Sequence, residues 1–513
     1  MRSGSPAADQ GSALSLFLLL AAAGLLVGGN LLVEGHAPMK DDVAWLIHVA
    51  QSWLDGGQPY VTEIEINPPP IIWFSALAVS VAQLLGSSVM IVYPVMTSLL
   101  IALIAWWVAS LITRLGIIGS AGAVFILAIV VLLFVPTGEF GQREHLIACL
   151  ALPWLAWRAG AKDGRAASRP EGFAAGLLVG ICCAMKPTFL VPFLLVELVM
   201  WRRRRAIAWA GVAGAICAGA AMLLLSLFLH PAYLAQVVPL AIALYHAPFD
   251  LAVMVPRGAL LLGGVLACTW ALWWLRRAEL RDGDLTVLLL VFATGAMVIY
   301  LSTGRGWFYQ RIPATVATVL ALCSLVALSP KRFGVRGAAA AMLVALAFQA
   351  GARYLPKVSV ASGYAPALSY QIAEVVRAQG ATRLMAFSST LGMGFPIVDL
   401  THTRWSSRFP SMWAVRSELA AEQAEGGAAA SSVARRWVVE DFLTACPEIV
   451  VVDHADGVNY PEALSDFDPA FARAWSGYRR IAGPAGVEMF HRPPDAPPCS
   501  RAGHFVSGLE RRS

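Results

Sequence analysis

For roughly two thirds of its length the chain alternates long apolar runs with short polar loops, and then the rhythm changes. Apolar runs cover residues 13–34, 70–86, 89–113, 117–135, 144–160, 172–186, 187–201, 206–229, 257–275, 285–302, 310–329 and 336–352. Runs this long and this poor in charge predict membrane-crossing helices. Beyond residue 352 they shrink to strand length: "RLMAF" at 383–387, "EIVVVD" at 448–453 and, across a turn, "YRRIAG…GVEMFHR" at 478–492. Helix-like stretches around 363–379 and 414–445 alternate with these, the signature of a small α/β domain. The pattern predicts a polytopic α-helical membrane protein over 1–352 followed by a small C-terminal α/β domain over 353–513. No Gly-rich phosphate loop precedes a helix of that domain, and the spans show no internal repeat.

Composition agrees: 58% of residues are apolar and 14% charged, where a soluble protein carries roughly 25% charged. The first run is too long for a secretory signal and lacks a convincing cleavage site, so it reads as an uncleaved span. The net charge of +6 points to no nucleic-acid partner, because most basic residues sit in short loops where they set orientation. Four such loops stand out: Arg158 to Arg169, "RRRR" at 202–205, "RRAELRD" at 276–282 and "KRFGVR" at 331–336. Placing them in the cytoplasm puts the N-terminus inside a plasma or inner membrane. It sends 138–145, the Lys186-Pro187 break, 230–250, 302–311 and everything after 352 outside. Loop one (35–69) and 142–145 then both face outward, yet three apolar runs join them. One of the three must be short or non-spanning, which leaves about eleven spans.

Cys182, Cys183, Cys217, Cys268 and Cys323 lie in apolar runs and Cys149 near the start of one, where cysteine behaves as a small hydrophobe. Only Cys446 and Cys499 fall in the C-terminal domain. Nothing else suggests a disulfide framework, so no bridge is expected, and no metal-type spacing occurs.

Candidate chemistry collects at the outward loop edges. In "KDDVAWLIHVAQSWLDGGQPYVTEIEINPPP" (40–70), Asp41 and Asp42 precede a helical pattern of Val43, Leu46, Ile47, Ala50 and Leu54. Trp45 and Trp53 suit headgroup depth, so this helix should lie along the membrane surface. Asp41 reads as its N-cap, which leaves room for a second role. "GGQPY" is a turn, and Pro68, Pro69 and Pro70 suit the opening of the next span. The loop would then return Glu63, Glu65 and Asn67 toward Asp41, unless it is simply a solvated polar loop.

In "GEFGQREH" (138–145), Glu139, Gln142, Arg143, Glu144 and His145 crowd the mouth of a span, which is costly unless they are paired or wet. The structural alternative is capping with an Arg143–Glu139 ion pair. Lys186, between two apolar segments, either reaches a lipid phosphate or snorkels. In "GRGWFYQR" (304–311), Arg305 and Arg311 flank Trp307, Phe308, Tyr309 and Gln310. Such arginines fork onto phosphates, or else belong to an interfacial aromatic belt. His230, Tyr245, His246 and Asp250 form a weaker outward set without metal-site spacing.

An acidic pair after span one, a short helix ending "W-L-x-G-G-x-P-Y", and prolines opening the next segment resemble the polyprenyl-phosphate-sugar-dependent glycosyltransferases of the GT-C superfamily. These include protein O-mannosyltransferases, the lipid A aminoarabinose transferase and related lipopolysaccharide glycosyltransferases. The resemblance extends to the span architecture, the Lys-Pro break and the outward C-terminal domain. It implies that Asp41 is the catalytic carboxylate, with Asp42 second. It also implies that Glu144 or Glu139 lines the donor site and that Lys186 serves the donor. Many relatives carry Glu at the position of Asp42, and an ordinary base where this chain has Asn67. Those departures bear on acceptor specificity more than on reaction class.

The expected activity is inverting transfer of a sugar from a polyprenyl-phosphate donor to an extracytoplasmic glycan, lipid or protein, with Asp41 as general base. Glu63, Glu65, Asn67, Gln142, Arg143, Glu144, His145, Lys186, Arg305, Tyr309, Gln310 and Arg311 are the expected donor- and acceptor-binding set. No cofactor is expected; a divalent ion on Asp41, Asp42 and Glu144 is the less favoured variant. The alternatives are a transporter or flippase for a lipid-linked glycan, and an assembly subunit without catalysis. The polar clusters at loop edges, without repeated halves, favour an enzyme over a transporter.

Overall fold

The computed structural model describes residues 6–160, 168–244, 251–278, 284–328, 333–424, 432–496 and 499. The helices in chain order are α1 (Pro6–His36), α2 (Asp41–Leu54), α3 (Pro69–Leu85), α4 (Val89–Arg114), α5 (Ala121–Phe134), α6 (Arg143–Gly160), α7 (Arg169–Met185), α8 (Leu190–Arg204), α9 (Trp209–Leu229), α10 (Val238–Leu244) and α11 (Leu251–Met254). They continue with α12 (Arg257–Arg276), α13 (Asp284–Ser302), α14 (Ile312–Leu328), α15 (Phe333–Ala361), α16 (Leu368–Ala378), α17 (Ile397–Thr401), α18 (Trp413–Ala424), α19 (Val433–Ala445), α20 (Tyr460–Phe467) and α21 (Pro469–Trp475). The chain divides into two compact units. Unit one is Met1–Ala37, Asn67–Leu229 and Ala247–Ala365; unit two is Pro38–Ile66, His230–His246 and Pro366–Ser513.

Each of the twelve apolar runs is a helix of unit one. Seven helices among the described residues are long and apolar enough to cross a membrane: α1, α4, α9, α12, α13, α14 and α15. The organising element is α6, buried along its whole length from Glu144 to Gly160. A helix enclosed on every side must have its charges answered within the protein. At one end Arg158 Nε donates to Glu197 Oε1 at 2.9 Å. At the other, Glu144 has its own partners. Small residues let α7 and α9 pack closely: a Cβ on Gly176 would run into the Gly211 carbonyl, and one on Gly214 into that of Phe173.

The prolines open a helix as expected, with Pro68 at the N-cap and Pro69 and Pro70 in the first turn. That helix, α3, has 17 residues and is not among the seven long and apolar enough to cross a membrane. Asn67 at its start accepts a hydrogen bond from Arg143. Just past its far end, Tyr93 of α4 donates to the Gly141 carbonyl at 2.7 Å and meets the ring of Phe74 at 5.5 Å. Gly141 lies two residues before Arg143, so the start of α3 and the start of α4 lie at the same end of unit one. α4 then runs away from this level to Arg114, which pairs with Glu171 of α7 at 2.5 Å. α5 runs back, so that the Leu132 carbonyl meets His145. Arg203 and Arg204 pair with Asp284 at the end of unit one far from Glu144. Parts of the predicted basic loops, at 161–167, 279–283 and 329–332, lie outside the described residues.

In unit two a five-stranded sheet has the order β2 (Arg404–Trp405), β1 (Arg383–Phe387), β3 (Ile449–Val452), β5 (Glu488–His491), β4 (Arg479–Ile481). β1 pairs parallel to β2 and β3, with Leu384 opposite Ile449; β3 pairs antiparallel to β5, with Val450 opposite Phe490. All four residues of β3 are buried, as an uninterrupted Ile-Val-Val-Val run requires. Phe387, Phe442, Phe471 and Trp475 pack together in the core beside the sheet. Two short helices that the apolar pattern misses, α20 and α21, are announced by their caps. Asn459 and Asp468 accept from first-turn amides, and Pro461 and Pro469 sit inside the starts.

One expectation is overturned: Cys446 and Cys499 form a disulfide across 53 residues of sequence. With no framework of other cysteines nearby, counting could not reveal the pair. The fold brings their Cα atoms to 5.7 Å.

Asp399, in α17, has one carboxylate oxygen buried without a hydrogen-bond partner, and burial pushes its pKa up to about 7. The folded chain therefore keeps a proton there that the unfolded chain releases near the ordinary value of 3.8. Stability should fall as pH rises from about 4 to about 7, by up to about 4 kcal/mol. Asp399→Asn should flatten that fall in a pH series of thermal melts of unit two's near-UV signal; an unchanged profile would refute the assignment.

Candidate active site

In unit one the site begins with a buried carboxylate. Glu144 sits in the first turn of α6 at 1% exposure. Its Oε1 accepts from Arg143 Nη2 at 2.7 Å and from Lys186 Nζ at 2.9 Å. Lys186 arrives from the break between α7 and the short turn before α8; Pro187 prevents the helix from running on. Arg143 also donates to the Asn67 amide oxygen, at the residue before the prolines. Arg143 and Lys186 thus both pair with the one carboxylate. The side chains of Lys186 and Arg143 are 10% and 15% exposed, while Glu144 is sealed. The positive end of the α6 dipole adds to the same field.

The neighbouring residues hold this arrangement. Gln142 donates to Glu139 Oε2 at 2.6 Å, so Glu139 takes Gln142 while Arg143 turns to Glu144. His145 is fully buried: its Nδ1 accepts from the Gly141 amide at 3.0 Å, and its Nε2 donates to the Leu132 carbonyl at 2.8 Å. Both ring nitrogens are thus spent on backbone, and the ring fixes the loop before α6. Gly141 stands at φ +79°, and a Cβ there would strike the Tyr93 ring at 2.7 Å, so glycine is required.

A second polar group in unit one is the turn before α14. Arg305 lies over the Trp307 ring at 5.2 Å, and Trp307 stacks on Tyr309 at 5.7 Å. Gln310 is buried and accepts from Thr303 Oγ1 at 2.5 Å. Arg311 is 2% exposed, with Nη1 lacking a hydrogen-bond partner.

In unit two, loop one forms α2 and a return segment. Lys40 stands at the N-cap and makes no side-chain cap; Asp41 is the first helical residue and not the cap itself. Its Oδ1 accepts from the Asp42 amide at 2.9 Å and pairs with Lys40 Nζ at 3.1 Å. A carboxylate here sits favourably at the positive end of the helix. The return segment is tied to α2 at two heights. Glu65, 2% exposed, accepts from Trp45 Nε1, one turn from Asp41. Glu63 takes Ser52 Oγ and Thr62 Oγ1, each at 2.5 Å, and burial raises its pKa. Ser52 is about 16 Å along the helix from Asp41, so the return brings Glu65, and not Glu63, to Asp41's end. His230 packs on Trp53 at 4.8 Å; Tyr245, His246 and Asp250 lie outside the described residues.

Sequence reasoning missed Gly392, Phe395 and Arg353. Phe395 packs on Trp45 at 5.1 Å, and a Cβ on Gly392 would lie 3.6 Å from Asp41 Oδ2. More than 340 residues separate these from Asp41 in sequence, and no local signal connects them. Arg353 did carry a signal, an arginine inside an apolar helix. Among the described residues no group of three or more His, Cys, Asp and Glu side chains is placed to hold a metal ion.

The charge balance makes the cluster testable. Glu144→Gln leaves two buried cations facing no carboxylate and should cost about 3–5 kcal/mol. Lys186→Met leaves a neutral Arg143–Glu144 pair and should cost far less. Melting of the two purified variants in detergent would show equal losses if the pairing were wrong.

Neither a protein-family model nor a curated protein matches the sequence. Solved structures do. ArnT from Cupriavidus metallidurans bound to undecaprenyl phosphate is 14% identical over 94% of this chain and 99% of that chain, with a TM-score of 0.53. Its apo form is 13% identical over 94% and 98%, at 0.47. The oligosaccharyltransferase AglB from Archaeoglobus fulgidus, in complex with an inhibitory peptide and a dolichol-phosphate, is 11% identical over 94% and 75%, at 0.41. Through its likeness to ArnT, the chain shares that structure's fold.

Proposed function

We propose that this protein is a membrane glycosyltransferase that moves a sugar from a polyprenyl-phosphate donor to an acceptor hydroxyl on the outer side of the membrane. The observation that carries this reading is the Arg143–Glu144–Lys186 cluster, a sealed carboxylate holding two partly exposed cations. An ammonium and a guanidinium held side by side suit a phosphate. The related fold of ArnT was solved with undecaprenyl phosphate, which suggests the same class of lipid here.

In the proposed reaction the acceptor oxygen attacks the anomeric carbon as the bond from that carbon to the phosphate oxygen breaks. Asp41 takes the proton from the attacking hydroxyl. Polyprenyl phosphate leaves with the bonding electron pair, and Lys186 and Arg143 balance its growing charge. Glu144 holds those cations and takes no proton. A single displacement of this kind inverts the anomeric centre. The acceptor is a glycan, a lipid or a protein of the cell envelope.

We further propose eleven spans: α1, α4 to α9 and α12 to α15, with α3 lying along the membrane. The N-terminus is cytoplasmic, on the side of the basic loops. Unit two is extracytoplasmic, a placement supported by its disulfide, since such bridges persist in oxidising compartments.

Asp41→Asn should lower transfer by at least about a hundredfold in lipid nanodiscs supplied with polyprenyl-phosphate sugars, with expression and melting unchanged. Turnover near that of the unmodified protein would remove Asp41 as the base. Lys186→Ala should raise the KM for the donor much more than it lowers kcat. The lipid-linked sugar that accumulates in cells lacking the protein would name the donor.

A further inference from the structure

A second positively charged group in unit one has no place in the reaction above. Arg311 is 98% buried by its 2% exposure, and its Nη1 has no hydrogen-bond partner. Its guanidinium lies over the ring of Phe308 at 5.0 Å, and that of Arg353, from α15, lies over the same ring at 4.2 Å. The two cations are therefore no farther apart than the sum of those distances. Among the described residues neither has a carboxylate within ion-pair reach. Two like charges this close, one of them buried, repel unless an anion stands between them.

The surroundings supply donors and no acceptors of charge. Gly258 occupies the first turn of the 20-residue helix α12. A Cβ at Gly258 would meet Gln349 Nε2 at 2.5 Å and Arg311 Nη2 and Nη1 at 2.7 and 2.9 Å. The glycine thus lets an amide and a guanidinium close over the start of a helix, where backbone amides lack intrahelical partners. The hydroxyl of Tyr300, 1% exposed, is also without a partner. A buried guanidinium with an unspent N–H, a second guanidinium, an amide, a phenol and a helix start form a site for a tetrahedral oxyanion.

We propose that Arg311, Arg353, Gln349, Tyr300 and the start of α12 bind the phosphate group of a lipid, in addition to the phosphate assigned to Arg143 and Lys186. The setting among apolar helices, beside the Trp307–Tyr309 stack, suits a phosphate on a hydrocarbon tail. The same chemistry would accept a polyprenyl phosphate, a glycerophospholipid headgroup or a phosphate ion.

The test uses the full chain with Asp41→Asn, without sugar, in phosphatidylcholine nanodiscs, so that binding is read independently of turnover. Farnesyl phosphate, phosphatidylglycerol and inorganic phosphate are titrated separately. Arg353→Gln, at an exposed position whose loss disturbs no core, should weaken at least one of the three by tenfold or more, and Arg311→Gln should do the same. Gly258→Ala should reproduce the loss by displacing the guanidinium. Loss confined to farnesyl phosphate identifies a polyprenyl lipid, loss confined to phosphatidylglycerol a structural phospholipid, and loss for all three a general phosphate site. Unchanged affinity for every probe in both arginine variants overturns the proposal. It would do so even if Asp41 and Lys186 proved essential to transfer, because both positions are the same in every chain compared.

Discussion

Unit one is organised around a carboxylate that water cannot reach. Glu144 lies at the head of a helix enclosed on all sides, and a carboxylate in that position persists only if cations are delivered to it. The two deliveries fix the surrounding chain. Lys186 requires α7 to stop where it does, and Arg143 requires the loop before α6 to be rigid. His145, Gly141 and Tyr93 provide that rigidity through backbone hydrogen bonds. Arg143 then reaches Asn67, which sets where α3 begins. A polar demand at one point thus determines the course of four segments far apart in sequence.

The fold was largely legible because the membrane imposes a strong pattern. Long apolar runs without charge have few alternatives to a helix, and every run is one. What could not be read was direction. α3 is as apolar as its neighbours, and where it starts is visible only through Tyr93 and Arg143, contacts made across tens of residues.

The candidate site was legible in part for the same reason. Glu144, Arg143 and Lys186 stood out because ionisable groups in apolar surroundings are costly, and the structure brings these three together. His145 stood out on identical grounds, yet its ring serves backbone. Residue type alone does not separate a ligand from a brace; only the hydrogen-bond partners do. Gly392 and the partner of Cys446 were invisible because their significance depends on approaches between distant stretches of chain.

Loop one illustrates such an approach. Residues 38–66 belong to the same compact unit as the last part of the chain. The Ile64 amide donates to the Arg408 carbonyl at 2.6 Å, and Trp45 rests on Phe395. During synthesis, Ile64 leaves the ribosome more than 340 residues ahead of Arg408. The spans can enter the membrane one after another, but the segment carrying Asp41 must wait, unfinished, until nearly the whole chain has been translated. A chain released early would be inserted without a completed loop, and the protein gains its full structure only when synthesis ends.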